Sequence, residues 1–92
     1  MHTILFYDVV DDYECRRTIF REEHFTLARE SYARRAMVLA GALANPVDGA
    51  VLVFRDDSPE TAVAFAKADP YVRNGLVTAW LVRKWNTVIG GE

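Results

Sequence analysis

The sequence predicts an α+β fold, a ferredoxin-like βαββαβ sandwich with a four-stranded antiparallel sheet and two helices on one face. Two observations carry this. Four runs rich in β-branched and aromatic residues are interleaved with two helical stretches in the order β-α-β-β-α-β. The two middle runs are separated only by Asn45-Pro46-Val47-Asp48-Gly49, breaker chemistry that makes them a hairpin. Right-handed crossovers on either side of that hairpin give the split βαβ arrangement. A third observation concerns assembly. The strands are apolar at both parities: Leu5, Tyr7 and Val9 against Ile4 and Phe6, and Leu81 against Trp80 and Val82. Helices cover only one face of such a sheet, so the other is expected to be an apolar patch that pairs with a second copy. A homodimer through the sheet follows.

The elements read in order. "HTILFYDVV" (His2 to Val10) is the first strand. Asp11 and Asp12 open a long segment of helical spacing that ends near Arg35. "MVLAGALA" (Met37 to Ala44) and "AVLVF" (Ala50 to Phe54) are the hairpin strands. Ser58-Pro59-Glu60 starts the second helix with a capping hydroxyl, a proline at the first helical position and an acid in the first turn. That helix runs to about Ala68, and "LVTAWLVRKW" (Leu76 to Trp85) is the fourth strand. The tail from Asn86 is expected to be loose. No linker or low-complexity tract divides the chain, which reads as one domain over residues 1–92.

Composition narrows the function classes. At 51% hydrophobic and 26% charged residues, the chain is an ordinary globular protein, not a disordered tail. A formal net charge of −2 provides no general attraction to nucleic acid or to an acidic membrane surface. No apolar run approaches a membrane span, and the N-terminus has strand-like alternation, not the pattern of a signal peptide. Cys15 is the only cysteine, which suits a reducing cytoplasm, and a lone helical cysteine reads as a packing residue. His2, Cys15 and His24 lack metal-ligand spacing, and no glycine-rich loop precedes a helix. Neither a metal nor a cofactor is expected.

The residues that point to chemistry are His24 and Asp69. On a helical wheel His24 falls with Phe20, Leu27, Ala28 and Ser31, away from Glu22, Arg29 and Glu30, so it is aimed inward. An inward histidine by itself reads most simply as a core residue. Asp69 sits at a helix C-terminus, where the helix dipole disfavours an acid. Pro70 keeps Asp69 out of helical conformation. In this topology the two helices are antiparallel, so the second ends beside the start of the first. Asp69 is therefore placed to reach His24, to cap a short turn through Tyr71, or both. Arg17 and Arg21 flank the histidine's stripe, and either is suited to a bidentate grip on a substrate carboxylate. Trp80 and Trp85 read as core and dimer packing.

"REEHF" (Arg21 to Phe25), Gly41, Ser58 and "ADPYVRNGLV" (Ala68 to Val77) together resemble the YciI-like, or YCII-related, family. The resemblance runs from the first strand to about Trp85. Its most specific part is Asp-Pro-Tyr followed by Gly75 and a strand. It implies membership of the dimeric α+β barrel superfamily and an enzymatic role, with the presumed catalytic histidine and aspartate falling on His24 and Asp69. Phe25 stands where the family has leucine, and the Asn45 to Gly49 turn is short where some relatives carry an insertion. The function expected is acid–base chemistry without a cofactor, an isomerisation or elimination on a small anionic organic molecule, with Arg21 and Tyr71 holding the substrate. The alternative is a small-molecule-binding or accessory domain with the same pocket. An oxygen-using monooxygenase rests on fold analogy alone.

Overall fold

The computed structural model describes residues 1–56 and 58–90. Its sheet has the strand order β2-β3-β1-β4, with β1 (His2–Val9), β2 (Met37–Ala42), β3 (Gly49–Phe54) and β4 (Val77–Trp85), and all three pairings are antiparallel. This is the ferredoxin-like arrangement. Both strands that precede a helix-mediated crossover therefore end up beside strands distant in sequence, with β1 at the centre.

The first helical segment is not one helix. It forms α1 (Tyr13–Arg16), a 3-10 turn (Arg17–Ile19) and α2 (Arg21–Ala33). No glycine or proline marks the break. It occurs at Phe20, which has φ −105° and ψ 0°. The second segment also divides, into α3 (Pro59–Ala68) and α4 (Pro70–Arg73), with Asp69 extended between them at φ −69° and ψ 122°. Ser58 caps α3 by accepting from the Glu60 N–H at 3.4 Å. Asp56 supports the same turn, accepting from the Ser58 N–H and the Thr61 hydroxyl. β2 stops at Ala42, short of the expected Ala44, although Leu43 still donates to the Gly49 carbonyl at 2.9 Å. A Cβ at Gly49 would lie 2.7 Å from the Tyr7 carbonyl oxygen, so only glycine lets β3 start this close to β1.

α4 ends in a Schellman turn. The Leu76 N–H bonds the Tyr71 carbonyl and the Gly75 N–H bonds the Val72 carbonyl, with Gly75 at φ +78°. Leu76, the residue after that glycine, is fully buried. The "DPYVRNGL" stretch is thus one structural unit: a proline-started turn of helix, its glycine stop and an anchor into the core.

Strand alternation divides the sheet. Leu5, Tyr7, Leu52 and Phe54 face the helices, where they pack with Phe65, Ala66, Tyr71 and Leu76. Ile4 and Phe6 of β1 lie on the opposite face with Leu81 and Trp85 of β4 and Leu39 of β2. There Phe6 is 38%, Leu39 61%, Leu81 57% and Trp85 47% exposed. Side chains of this size, gathered on one open face, form the apolar patch read from the sequence. Among the described residues, no helix is long and apolar enough to cross a membrane.

Candidate active site

α3 packs over β1 and β4, whereas α2 leans towards the edge strand β2. Of the residues of α2 only Ser31 is fully buried, because most of its inward face borders a cavity of about 640 Å³ and not close-packed sheet. Tyr7, His24, Phe25, Met37, Leu52 and Tyr71 are among the residues lining it, with Tyr13, Arg17, Arg21 and Arg29. Its size is that of a small-molecule pocket.

Asp69 stands behind this cavity with no solvent exposure. Its carboxylate accepts from three donors: the Tyr7 hydroxyl on Oδ2 at 2.8 Å, and His24 Nδ1 (2.8 Å) and the Tyr71 backbone N–H (3.0 Å) on Oδ1. An ionised carboxylate accepts without donating, so this donor set fits the charged form, whose burial is offset by the three bonds. Asp69 thus both caps α4 and meets His24, the two roles that the sequence left open.

Nδ1 of His24 is committed to Asp69, which fixes the tautomer with the proton on Nδ1 and the lone pair on Nε2. The ring is not sealed in aliphatic core. Its side chain is 14% exposed and it borders the cavity. It lies stacked on Tyr71, centroids 3.9 Å apart and planes 11° apart, with Phe65 edge-on at 6.4 Å. A histidine held by a buried carboxylate at the edge of a pocket can accept a proton from a bound molecule and return it.

Burial raises the Tyr7 phenol well above the ordinary tyrosine range, and the Asp69 charge adds to the effect. It therefore remains a hydrogen-bond donor at any physiological pH. Burial also raises Tyr71, to about 12, while Arg17 and Arg21 oppose the rise. Tyr13 is raised by burial and drawn down by Arg17.

Of the residues singled out from sequence, His24, Asp69 and Tyr71 come together in one network, and Arg21 lines the cavity with its guanidinium over Phe25. From sequence, Tyr7 has only its strand parity, shared with Leu5 and Val9. The one signal for more was a phenol on a buried face, which needs a partner. Arg29, placed outside the histidine's stripe, borders the cavity as well. Among the described residues, no group of His, Cys, Asp and Glu is arranged to hold a metal ion.

The model of the YCII-related domain matches residues 1–86. The chain belongs to the YCII-related family. No curated protein matches the sequence of this YCII-related protein. Among solved structures, the fold is similar to that of 5-chloro-2-hydroxyhydroquinone dehydrochlorinase from Burkholderia phenoliruptrix AC1100, in complex with 2,5-dihydroxybenzoquinone. The TM-score is 0.77 with 17% identity, over 94% of each chain. At that identity the likeness is one of fold, and it extends over nearly the whole YCII-related domain.

Proposed function

We propose that this YCII-related protein is a small cytoplasmic enzyme that performs cofactor-free acid–base chemistry, an isomerisation or elimination, on a small anionic organic molecule. The observation that carries this is the 2.8 Å bond from His24 Nδ1 to the buried Asp69 carboxylate, at the wall of a cavity. Nε2 takes a proton from a substrate carbon. The C–H electron pair moves towards an adjacent carbonyl, giving an enolate, or expels a leaving group from the neighbouring carbon. The imidazolium formed is stabilised by Asp69, which carries the opposite charge and does not itself take the proton. Return of the proton to a different carbon completes an isomerisation. Arg21 and Tyr71 hold the substrate against His24.

The similarity in fold to a dehydrochlorinase supports the elimination branch, since loss of hydrogen chloride is a proton removal coupled to departure of chloride. Positioned acid–base catalysis contributes roughly 10²–10⁴-fold, and orientation within the pocket supplies the rest. The same proposal includes a homodimer joined through the open sheet face, supported by the exposed Phe6, Leu39, Leu81 and Trp85.

The test is a panel of small organic acids and hydroxyquinones assayed with wild type, His24→Gln and Asp69→Asn. Glutamine keeps approximate size and hydrogen bonding but exchanges no proton in the useful range. His24→Gln should retain its melting temperature and lose turnover. Asp69→Asn should lose roughly 10²-fold or more in kcat with a smaller change in KM, because the charge opposite the imidazolium is gone. A stable His24→Gln protein with unchanged turnover sinks the assignment, and binding without turnover by wild type across the panel would make the pocket an accessory site.

A further inference from the structure

One wall of the cavity is cationic, and the His24–Asp69 pair makes no use of it. Arg17, Arg21 and Arg29 all line the cavity, whereas among the described residues no aspartate or glutamate does. Each guanidinium rests on an aromatic ring: Arg17 lies 5.2 Å from the Tyr13 centroid, and Arg21 and Arg29 lie 5.0 and 5.4 Å from that of Phe25. Among the described residues none of the three has a carboxylate within ion-pair distance; the pairs formed are Arg16 with Asp12 and His24 with Asp69. In a chain of net charge −2, three unpaired cations gathered around one pocket are an uncompensated concentration of charge.

Arg17 differs from the other two. Arg21 and Arg29 are exposed at the rim, whereas Arg17 is half-buried and its Nε–H is shut off from solvent with no hydrogen-bond partner. A guanidinium is charged at every accessible pH and its donors cost free energy when buried unmet. An oxyanion that draws the Arg17 head group over by a small rotamer change satisfies Nε and Nη together, in surroundings where such a bond is stronger than at the surface. Tyr13 lies directly beneath Arg17 and is 4% exposed, so its protonated hydroxyl is a second donor at the same end. The remaining walls suit a flat molecule, with the stacked His24 and Tyr71 rings and Phe25 meeting Met37 and Leu52.

We propose that Arg17 is the anion-binding residue of the cavity, and that its ligand is a planar ring bearing an oxyanion, either a carboxylate or a phenolate. This rests on the acid–base reading for which part of the ring reacts, whereas the anion site itself stands without it. Arg21 keeps its place beside the part of the ring that reacts, and Arg29 draws the anion in from the rim. The exposed charge of Arg29 acts over distance and is screened by salt, so it affects the rate of association more than the affinity.

The experiment titrates the full chain with benzoate and 4-nitrophenolate, and with the neutral counterparts benzamide and nitrobenzene. Binding is followed by calorimetry and by the Nε–H resonance of Arg17 in proton–nitrogen correlation spectra. Saturable binding of one or both anions is expected, with displacement of the Arg17 resonance and much weaker binding of the neutral compounds. Benzoate alone identifies a carboxylate ligand, and 4-nitrophenolate alone a phenolate. Arg17→Gln should weaken the anion roughly ten- to a hundredfold, the scale of a hydrogen bond to a charged group, and Arg17→Lys by less. Failure of both anions to bind, equal binding of benzamide, or an anion bound without moving the Arg17 resonance overturns the proposal. If Arg17→Gln fails to fold, the resonance in wild type and the affinity of Arg17→Lys still decide. Turnover retained by His24→Gln would instead remove the acid–base reading and leave the anion site intact.

Discussion

The imidazole of His24 lies flat on the ring of Tyr71 at 3.9 Å, and the backbone N–H of the same tyrosine bonds the Asp69 oxygen that holds His24. One residue thereby sets the plane of the imidazole through its side chain and the place of the imidazole's partner through its main chain. Pro70 starts that turn of helix and Gly75 stops it, so the orientation of His24 depends on a local structure more than forty residues away in sequence.

Tyr7→Phe removes the donor to Asp69 Oδ2 and leaves a buried acceptor with one bond fewer. Stability should fall by about 1–2 kcal/mol, measured by urea denaturation. The carboxylate, no longer shared with the phenol, then supports an imidazolium more strongly. An unchanged urea midpoint would show that the bond contributes nothing to folding.

Alkaline pH should destabilise the fold through its buried phenols. Burial raises Tyr7, Tyr13 and Tyr71 above the ordinary value of 10.0, with the Asp69 charge adding at Tyr7 and Arg17 opposing at Tyr13. The unfolded chain ionises its tyrosines near that ordinary value, so above it the folded state binds more protons. The stability these groups contribute is complete below about pH 10 and is lost as pH rises beyond it. Urea midpoints measured across that range should decline, and decline less steeply in Tyr7→Phe.

Gly75→Ala should cost about 1–2 kcal/mol, the price of a left-handed residue with a Cβ. The added carbon meets nothing within 4 Å, so conformation at φ +78° is the whole effect. Thermal melting should drop by roughly 4–8 °C for each kcal/mol lost, and Gly75→Asn should fall between the two. Equal melting temperatures for glycine and alanine would contradict the assignment of the turn.

Leu81→Glu tests the open face. Wild type should sediment as a dimer, with an interface above about 1,000 Å² in total, and the variant as a monomer with its secondary structure retained. Wild type behaving as a monomer at micromolar concentration would end the proposal.

Much of this arrangement could be read from the sequence because it rests on local chemistry or on topology. Strand parity separates Leu5 and Tyr7 from Ile4 and Phe6, and antiparallel helices bring Asp69 near His24. The break between α1 and α2 was illegible, since it falls at Phe20 without a glycine or proline to announce it. β2 ends two residues early for a related reason: Leu43 and Ala44 are as apolar as the strand before them, and only the geometry of the hairpin excludes them. The partner of Tyr7 lies 62 residues away and depends on the exact docking of α3 and α4, which no local pattern encodes. The looseness of α2 over β2, from which the cavity arises, is likewise a matter of packing.

β1 carries Tyr7 towards Asp69 on one parity and Phe6 towards the open face on the other. Adding one residue ahead of Leu5 exchanges the two sets. The phenol would leave its carboxylate for the exterior, and a benzene ring unable to donate would take its place beside Asp69. The hydrogen bond to Asp69 and the open apolar face are thus written in alternate letters of a single strand. Substitutions can tune either one alone, but a change in the length of β1 damages both at once.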